Sequence, residues 1–171
     1  DNPFVGRKDA FPYVWSYGHR VPLGLAFDDN GLLWETENGP RGGDELNLIL
    51  PGKNYGWPVT TWGHRYDDKA VTPRPLQAGM EQPVYNWSPS PALSSIRFYS
   101  GKAFPKWKGS AFIGTLRYRS LMRATLTKDR VVLLETILFN VGRMRDVQVG
   151  PDGFIYLITD GGELIRLRPA R

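Results

Sequence analysis

Along most of this chain apolar residues recur at every second position in short runs, and the runs end at Gly, Pro, or an Asn-Gly or Asp-Gly pair. Period two is the spacing of a β-strand, whose side chains alternate between the two faces of a sheet. Residues 13–17 (Tyr-Val-Trp-Ser-Tyr), 25–27 and 32–35 follow it, the last two joined by Asp28-Asp-Asn-Gly31, a hairpin turn in which positive φ is tolerated. Residues 46–50 add another strand. Further strands are expected at 96–98, 111–114, 121–126, 131–134, 147–149, 154–157 and 164–168, with Pro151-Asp-Gly153 as a second hairpin turn. No long stretch keeps helical spacing without a Gly or Pro breaking it, so the predicted fold class is all-β.

The strand-turn-strand grammar of residues 25–50 returns near the C-terminus and, more loosely, between them. Recurrence at roughly 50–70 residues reads as about three blades of a β-propeller, each a small four-stranded antiparallel sheet. Residues 57–91, rich in Pro and carrying Asp67, Asp68 and Lys69, read as a long loop between the first two blades. With 171 residues, 41% hydrophobic and 13% aromatic, the whole chain is expected to be one domain.

Charge changes this picture little. The net charge of +5 comes from basic residues scattered among the strands, which does not favour a nucleic-acid partner and suits a small anionic ligand held by planar guanidinium groups. The chain has no cysteine, which excludes disulfide and thiolate chemistry. No run approaches the roughly 18 apolar residues of a membrane span, and residues 1–7 do not resemble a signal peptide.

Candidate chemistry concentrates between Asn38 and Pro58. Gly39, Gly42 and Gly43 let the backbone bend sharply beside Asp44 and Glu45. Such a corner can turn carbonyl and carboxylate oxygens toward a hard divalent cation such as calcium, and it can equally be a tight turn with a solvated acid pair.

Two motifs in this stretch, Gly39-Pro-Arg-Gly-Gly-Asp-Glu-Leu-Asn47 and Gly52-Lys-Asn-Tyr-Gly-Trp-Pro58, resemble the signature of the pyrroloquinoline quinone (PQQ)-dependent aldose sugar dehydrogenases, relatives of soluble PQQ glucose dehydrogenase. The similarity extends through Tyr17-Gly-His-Arg20 and Arg143-Met-Arg-Asp146, and so over nearly the whole chain. It implies a PQQ- and calcium-dependent oxidoreductase that oxidises aldose sugars at C1, represented here by the C-terminal half of a six-bladed ring. A second copy of the chain or an N-terminal half would complete that ring.

By the same resemblance, Arg20, Arg143 and Arg145 would contact the quinone, with Arg117, Tyr85 and Ser90 near it. Gly39 and Pro40 would hold the cofactor's calcium through their carbonyls, while Glu45 and the Tyr55 carbonyl would hold a second one. The family's partner is an aldose sugar, its electron acceptor is left open, and its location is periplasmic or secreted. Two departures bear on function. Val21 and Leu23 stand where relatives carry polar side chains, and the family's catalytic base histidine is not identifiable, since the chain has only His19 and His64. The alternative reading is a catalytically silent propeller module that binds a sugar or a protein.

Overall fold

In a computed structural model of the chain, residues 2–67, 69, 71 and 75–170 are described; Asp68, in the middle of the long loop, and Asp1 lie outside them. Among the described residues the strands form three antiparallel sheets. The first contains β1 (Pro22–Phe27), β2 (Leu33–Glu37), β3 (Asp44–Ile49) and β4 (Tyr85–Trp87). The second contains β5 (Leu93–Phe98), β6 (Ala111–Thr115), β7 (Leu121–Thr127) and β8 (Arg130–Leu138), and the third β9 (Met144–Val149), β10 (Ile155–Thr159) and β11 (Leu164–Leu167). Each sheet is an up-and-down meander. β1 packs beside β5 and β5 beside β9, so the first strands converge on a common hub as successive blades of a β-propeller.

Strand alternation explains how the middle blade serves two cores. On β6, Ala111 and Ile113 face Ala26, Trp34 and Leu46 of the first blade, while Phe112 between them joins Met144, Val147, Ile155 and Leu157 of the third. β7 repeats the division, with Met122 and Ala124 on one side and Leu121 on the other. At the hub the sheets approach so closely that a Cβ on Gly24 would lie 2.7 Å from the Ile96 nitrogen. Only glycine fits there.

The recurrent turns are alike in detail. In the first blade Asp28 N–H bonds the Leu32 carbonyl and Gly31 N–H bonds the Asp28 carbonyl; in the third, Gly150 and Phe154, then Gly153 and Gly150, do the same. Gly31 and Gly153 have φ of +77° and +78°. Both are the turn glycines expected from the sequence.

Three expectations change. Residues 13–17 form no strand: Pro12 precedes them, Gly18 turns the chain at positive φ, and the segment pairs instead with residues 52–57 through Gly52 to Trp15, Tyr17 to Lys53 and Tyr55 to Tyr17 bonds. The long loop does not lie between blades. It ends in β4, whose residues pair Asp44 with Trp87 and Leu46 with Tyr85, so it is an excursion inside the first blade. The third sheet has three strands among the described residues rather than four.

Because the meanders are antiparallel and their first strands run side by side, one rim collects the start of β1, the β2–β3 turn, the start of β5, the β6–β7 turn and the start of β9. Leu116 and Arg117 N–H groups bond the Ala92 and Pro91 carbonyls across that rim.

Candidate functional site

The β2–β3 turn is shaped by Asp44, which is fully buried and reaches across two blades. One of its oxygens accepts from Gly39 N–H at 3.1 Å, and the other accepts from the Ser90 hydroxyl at 2.7 Å and Leu93 N–H at 3.2 Å. Burial raises its pKa against the pull of these donors. Gly42 and Gly43, at φ of +79° and +68°, turn the chain back, and a Cβ on Gly39 would meet the Gly42 carbonyl. The glycines are thus required by the fold of the corner itself.

Arg20, two residues before β1, stacks its guanidinium on the Trp57 ring with 5.1 Å to the centroid. Its Nη1 donates to the Asn38 carbonyl at 2.9 Å and the Gly39 carbonyl at 3.0 Å, and its backbone N–H donates to Glu37 at 2.6 Å. Ser90 gives its hydroxyl proton to Asp44 and accepts from Ala92 N–H. Arg117 is exposed and donates to the Ser90 carbonyl at 3.3 Å. Tyr85 sits on the outer strand β4 with its ring edge-on to Trp87, apart from the arginines.

Arg143 and Arg145 flank the buried Met144 and point to one side, as alternation requires. Both reach the same oxygen of Asp160, at 2.6 Å and 3.4 Å. Two half-exposed guanidinium groups therefore already converge on one carboxylate.

Two open clefts flank the turn. One, of about 460 Å³, lies among Arg20, Pro40, Trp57 and Tyr66; the other, of about 400 Å³, among Arg41, His64, Ser88 and Arg117. Both are of the size that small ligands occupy. Beside the first of them, a small pocket of about 10 Å³ brings Glu37, Glu45, Gly39 and Tyr55 together. That space suits a single water or ion.

The residues most easily missed in the sequence lie behind this cavity. Glu35 and Glu37 on β2 stand opposite Asn47 and Glu45 on β3 in the sheet register. All four are buried, and the Asn47 amide nitrogen donates to all three carboxylates at 3.1, 3.4 and 3.3 Å. Burial, with repulsion from Glu37, pushes Glu35 up to about 9 and Glu45 up to about 8, and burial raises Glu37 as well. His19 stacks on Tyr55 at 4.6 Å, and burial lowers its pKa, which favours the neutral ring. The signal was an acid-x-acid pair, Glu35 and Glu37, running past the end of one predicted strand, and an acid-x-amide pair, Glu45 and Asn47, at the start of the next, a pattern that otherwise marks a solvated sheet face. Here the segments around His19 and Tyr55 cover that face.

The profile of the family described as glucose/sorbosone dehydrogenase matches residues 1–166. The chain belongs to that family. It is similar to aldose sugar dehydrogenase YliI of Escherichia coli strain K12, with 43% identity over 175 residues covering 99% of this chain and 47% of that protein. It also superposes on a crystal structure of a glucose dehydrogenase with a TM-score of 0.92 and 47% identity, covering 100% of this chain and 51% of the other. The PQQ-bound form of the aldose sugar dehydrogenase from Streptomyces coelicolor gives a TM-score of 0.73 at 32% identity, covering 98% of this chain and 47% of that one. The chain spans about half the length of the family members it matches. Among the described residues no helix is long and apolar enough to cross a membrane.

Proposed function

We propose that this chain carries the cofactor-binding half of a PQQ- and calcium-dependent aldose sugar dehydrogenase that works in the periplasm or outside the cell. The observation that carries this reading is the convergence of Arg143 and Arg145 on one carboxylate oxygen at the rim. PQQ has three carboxylates, and paired guanidinium groups bind a carboxylate through short charge-assisted hydrogen bonds. Asp160 stands in for such a group, and a cofactor carboxylate would take its place or share its donors. When bound, the quinone supplies the two-electron chemistry by accepting hydride from C1 of the sugar.

The chain's own groups then have defined tasks. Arg20, held on Trp57, keeps a positive charge beside the turn and lies over the larger cleft. Arg117 lines the other cleft with His64 and adds a second positive charge. The Gly39 carbonyl has two lone pairs, of which one serves Arg20, so the other remains for a calcium ion shared with Pro40. An ion there next to the Arg20 guanidinium would be offset by the anionic quinone. The small pocket at Glu45 and Tyr55 would hold a second calcium ion through the Glu45 carboxylate and the Tyr55 carbonyl. Proton removal from the sugar C1 hydroxyl is assigned to no residue of this chain.

The test is PQQ titration followed by calorimetry and absorbance, in calcium. Replacing Arg143 and Arg145 together by Gln is expected to cost roughly 3 kcal/mol or more of PQQ affinity, on the basis of about 1.5–3 kcal/mol for each hydrogen bond to a charged group. Unchanged affinity, or no PQQ binding by the unmutated chain, would leave the silent binding module as the better reading.

A further inference from the structure

His19, Glu35 and Glu37 form a polar cluster next to Asn47 and to the small pocket at Glu45 and Tyr55. One nitrogen of His19 and one oxygen each of Glu35 and Glu37 lie within 4.8 Å of one another. Glu45 shares the Asn47 amide but does not belong to that group.

The cluster and Asn47 contain polar atoms that lack any partner. Glu35 is 3% exposed and Asn47 0%, yet the Glu35 Oε1 and the Asn47 Oδ1 accept no hydrogen bond, and the His19 Nδ1 also has no partner. Leaving such atoms unmatched is costly, and buried acidic groups are held neutral, paired or bound to a cation. Arg20 gives Glu37 a backbone N–H and the attraction of its charge, but its guanidinium donates to the Asn38 and Gly39 carbonyls.

The remaining partners of His19 orient it for a ligand role. Its Nε2 is 2.8 Å from the Ser16 hydroxyl and its ring is stacked on Tyr55, which leaves Nδ1 facing Glu35 at 4.0 Å. A hydrogen bond on one ring nitrogen is the usual way of fixing an imidazole that ligates through the other. Ligand atoms now up to 4.8 Å apart would close by about 1 Å around an ion at ~2.0–2.2 Å, within reach of glutamate side-chain rotation.

We propose that His19, Glu35 and Glu37 form a buried site for a divalent transition-metal ion, manganese or zinc, next to the calcium position at Glu45 and Tyr55 but with its own ligands. The donor set decides the class. One imidazole nitrogen with two carboxylates suits manganese or zinc, whereas calcium takes oxygen ligands. The ion would tie β2 to the segment before β1 and so hold Arg20, the next residue after His19, at the rim.

The proposal deepens the metal part of the reading above, but its test contains no quinone and does not depend on PQQ binding. The chelator-treated chain is titrated with manganese in the presence of excess calcium and followed by electron paramagnetic resonance. One bound manganese per chain is expected, with pulsed spectra showing coupling to an imidazole nitrogen. Glu35→Gln and His19→Gln should weaken manganese binding about tenfold or more, while Glu45→Ala retains it. Absence of manganese binding would overturn the proposal, as would bound manganese without nitrogen coupling, or loss of binding in Glu45→Ala equal to that in Glu35→Gln. The nitrogen coupling is read on the unmutated chain, so the outcome does not depend on either variant folding.

Discussion

Glu45 and Asp44 are adjacent acids with opposite tasks, and the direction of each side chain separates them. Asp44 turns inward, to its own turn and to the start of the second blade, and accepts three hydrogen bonds, so its charge is spent on the fold. Glu45 faces the small cavity with Tyr55 and Glu37, and it receives one amide contact at 3.3 Å. A carboxylate pushed up to about 8 by burial and a neighbouring acid gains from a cation that removes both penalties. Calcium is therefore expected to raise the melting temperature, because an ion that binds only the folded state stabilises it by mass action. Glu45→Ala should blunt that rise, measured by differential scanning calorimetry with and without calcium. If calcium leaves the melting temperature of the unmutated chain unchanged, the site at Glu45 and Tyr55 is a solvated pocket and no more.

At the scale of elements, the hairpin turns carry a charge whose effect depends on pH. Asp28 accepts from Asn30 N–H and Leu32 N–H at 2.9 Å each and from the Trp34 indole at 3.2 Å. Partial burial alone would raise its pKa, but the donors from Leu32, Trp34 and Asn30 outweigh it and bring the group below the usual carboxylate range. A depressed folded-state pKa means that the stabilisation is present above the unfolded value near 3.8 and is lost as pH falls through the folded one. Asp28→Asn should cost about 1–2 kcal/mol at pH 7, since one oxygen becomes an N–H facing the indole donor. The gap between variant and parent should narrow in urea titrations repeated near pH 3. A gap of equal size at both pH values would show that the carboxylate charge contributes nothing. This turn was legible in the sequence because Asp28-Asp-Asn-Gly31 has the chemistry that a tight connection requires. β4 was not legible: three residues between Pro83 and Pro89 are too few to show alternation, and only the pairing partners at Asp44 and Leu46 make Tyr85–Trp87 a strand. The site was legible in the same uneven way. Its glycine corner and arginine pair stand in contiguous motifs, whereas the cluster of Glu35, Glu37, Asn47 and His19 depends on which face of the first sheet is covered, and the loops that cover it have no periodic pattern.

For the whole molecule, the blade arrangement leaves its two ends unlike its middle. The central blade is packed on both faces, but Leu23, Leu25 and Phe27 on the hub strand of the first blade are 49%, 62% and 66% exposed. At the other end Ile158 and Leu164 are 45% and 70% exposed, and among the described residues β11 pairs with β10 alone and leaves its outer edge open. Apolar side chains in a row on a strand at the hub are placed for another sheet, because each inner face of the middle blade is covered in that way. The described residues form three sheets and the chain spans 47% of the Escherichia coli relative and 51% of the superposed glucose dehydrogenase, so two copies supply about the number of residues that one such relative holds. A two-fold axis would set the first blade of each copy against the third blade of the other, giving two identical joins and a closed ring. The 171-residue chain on its own is therefore expected to sediment as a dimer at micromolar concentration, and Leu25→Glu, which places a charge in the join, should shift it toward monomer. The same dimer would hold two copies of the arginine pair at Arg143 and Arg145, so PQQ binding at up to two equivalents per dimer should accompany it. A stable, well-folded monomer at that concentration would rule out ring closure by a second copy and leave the exposed row to a preceding sheet of a longer chain.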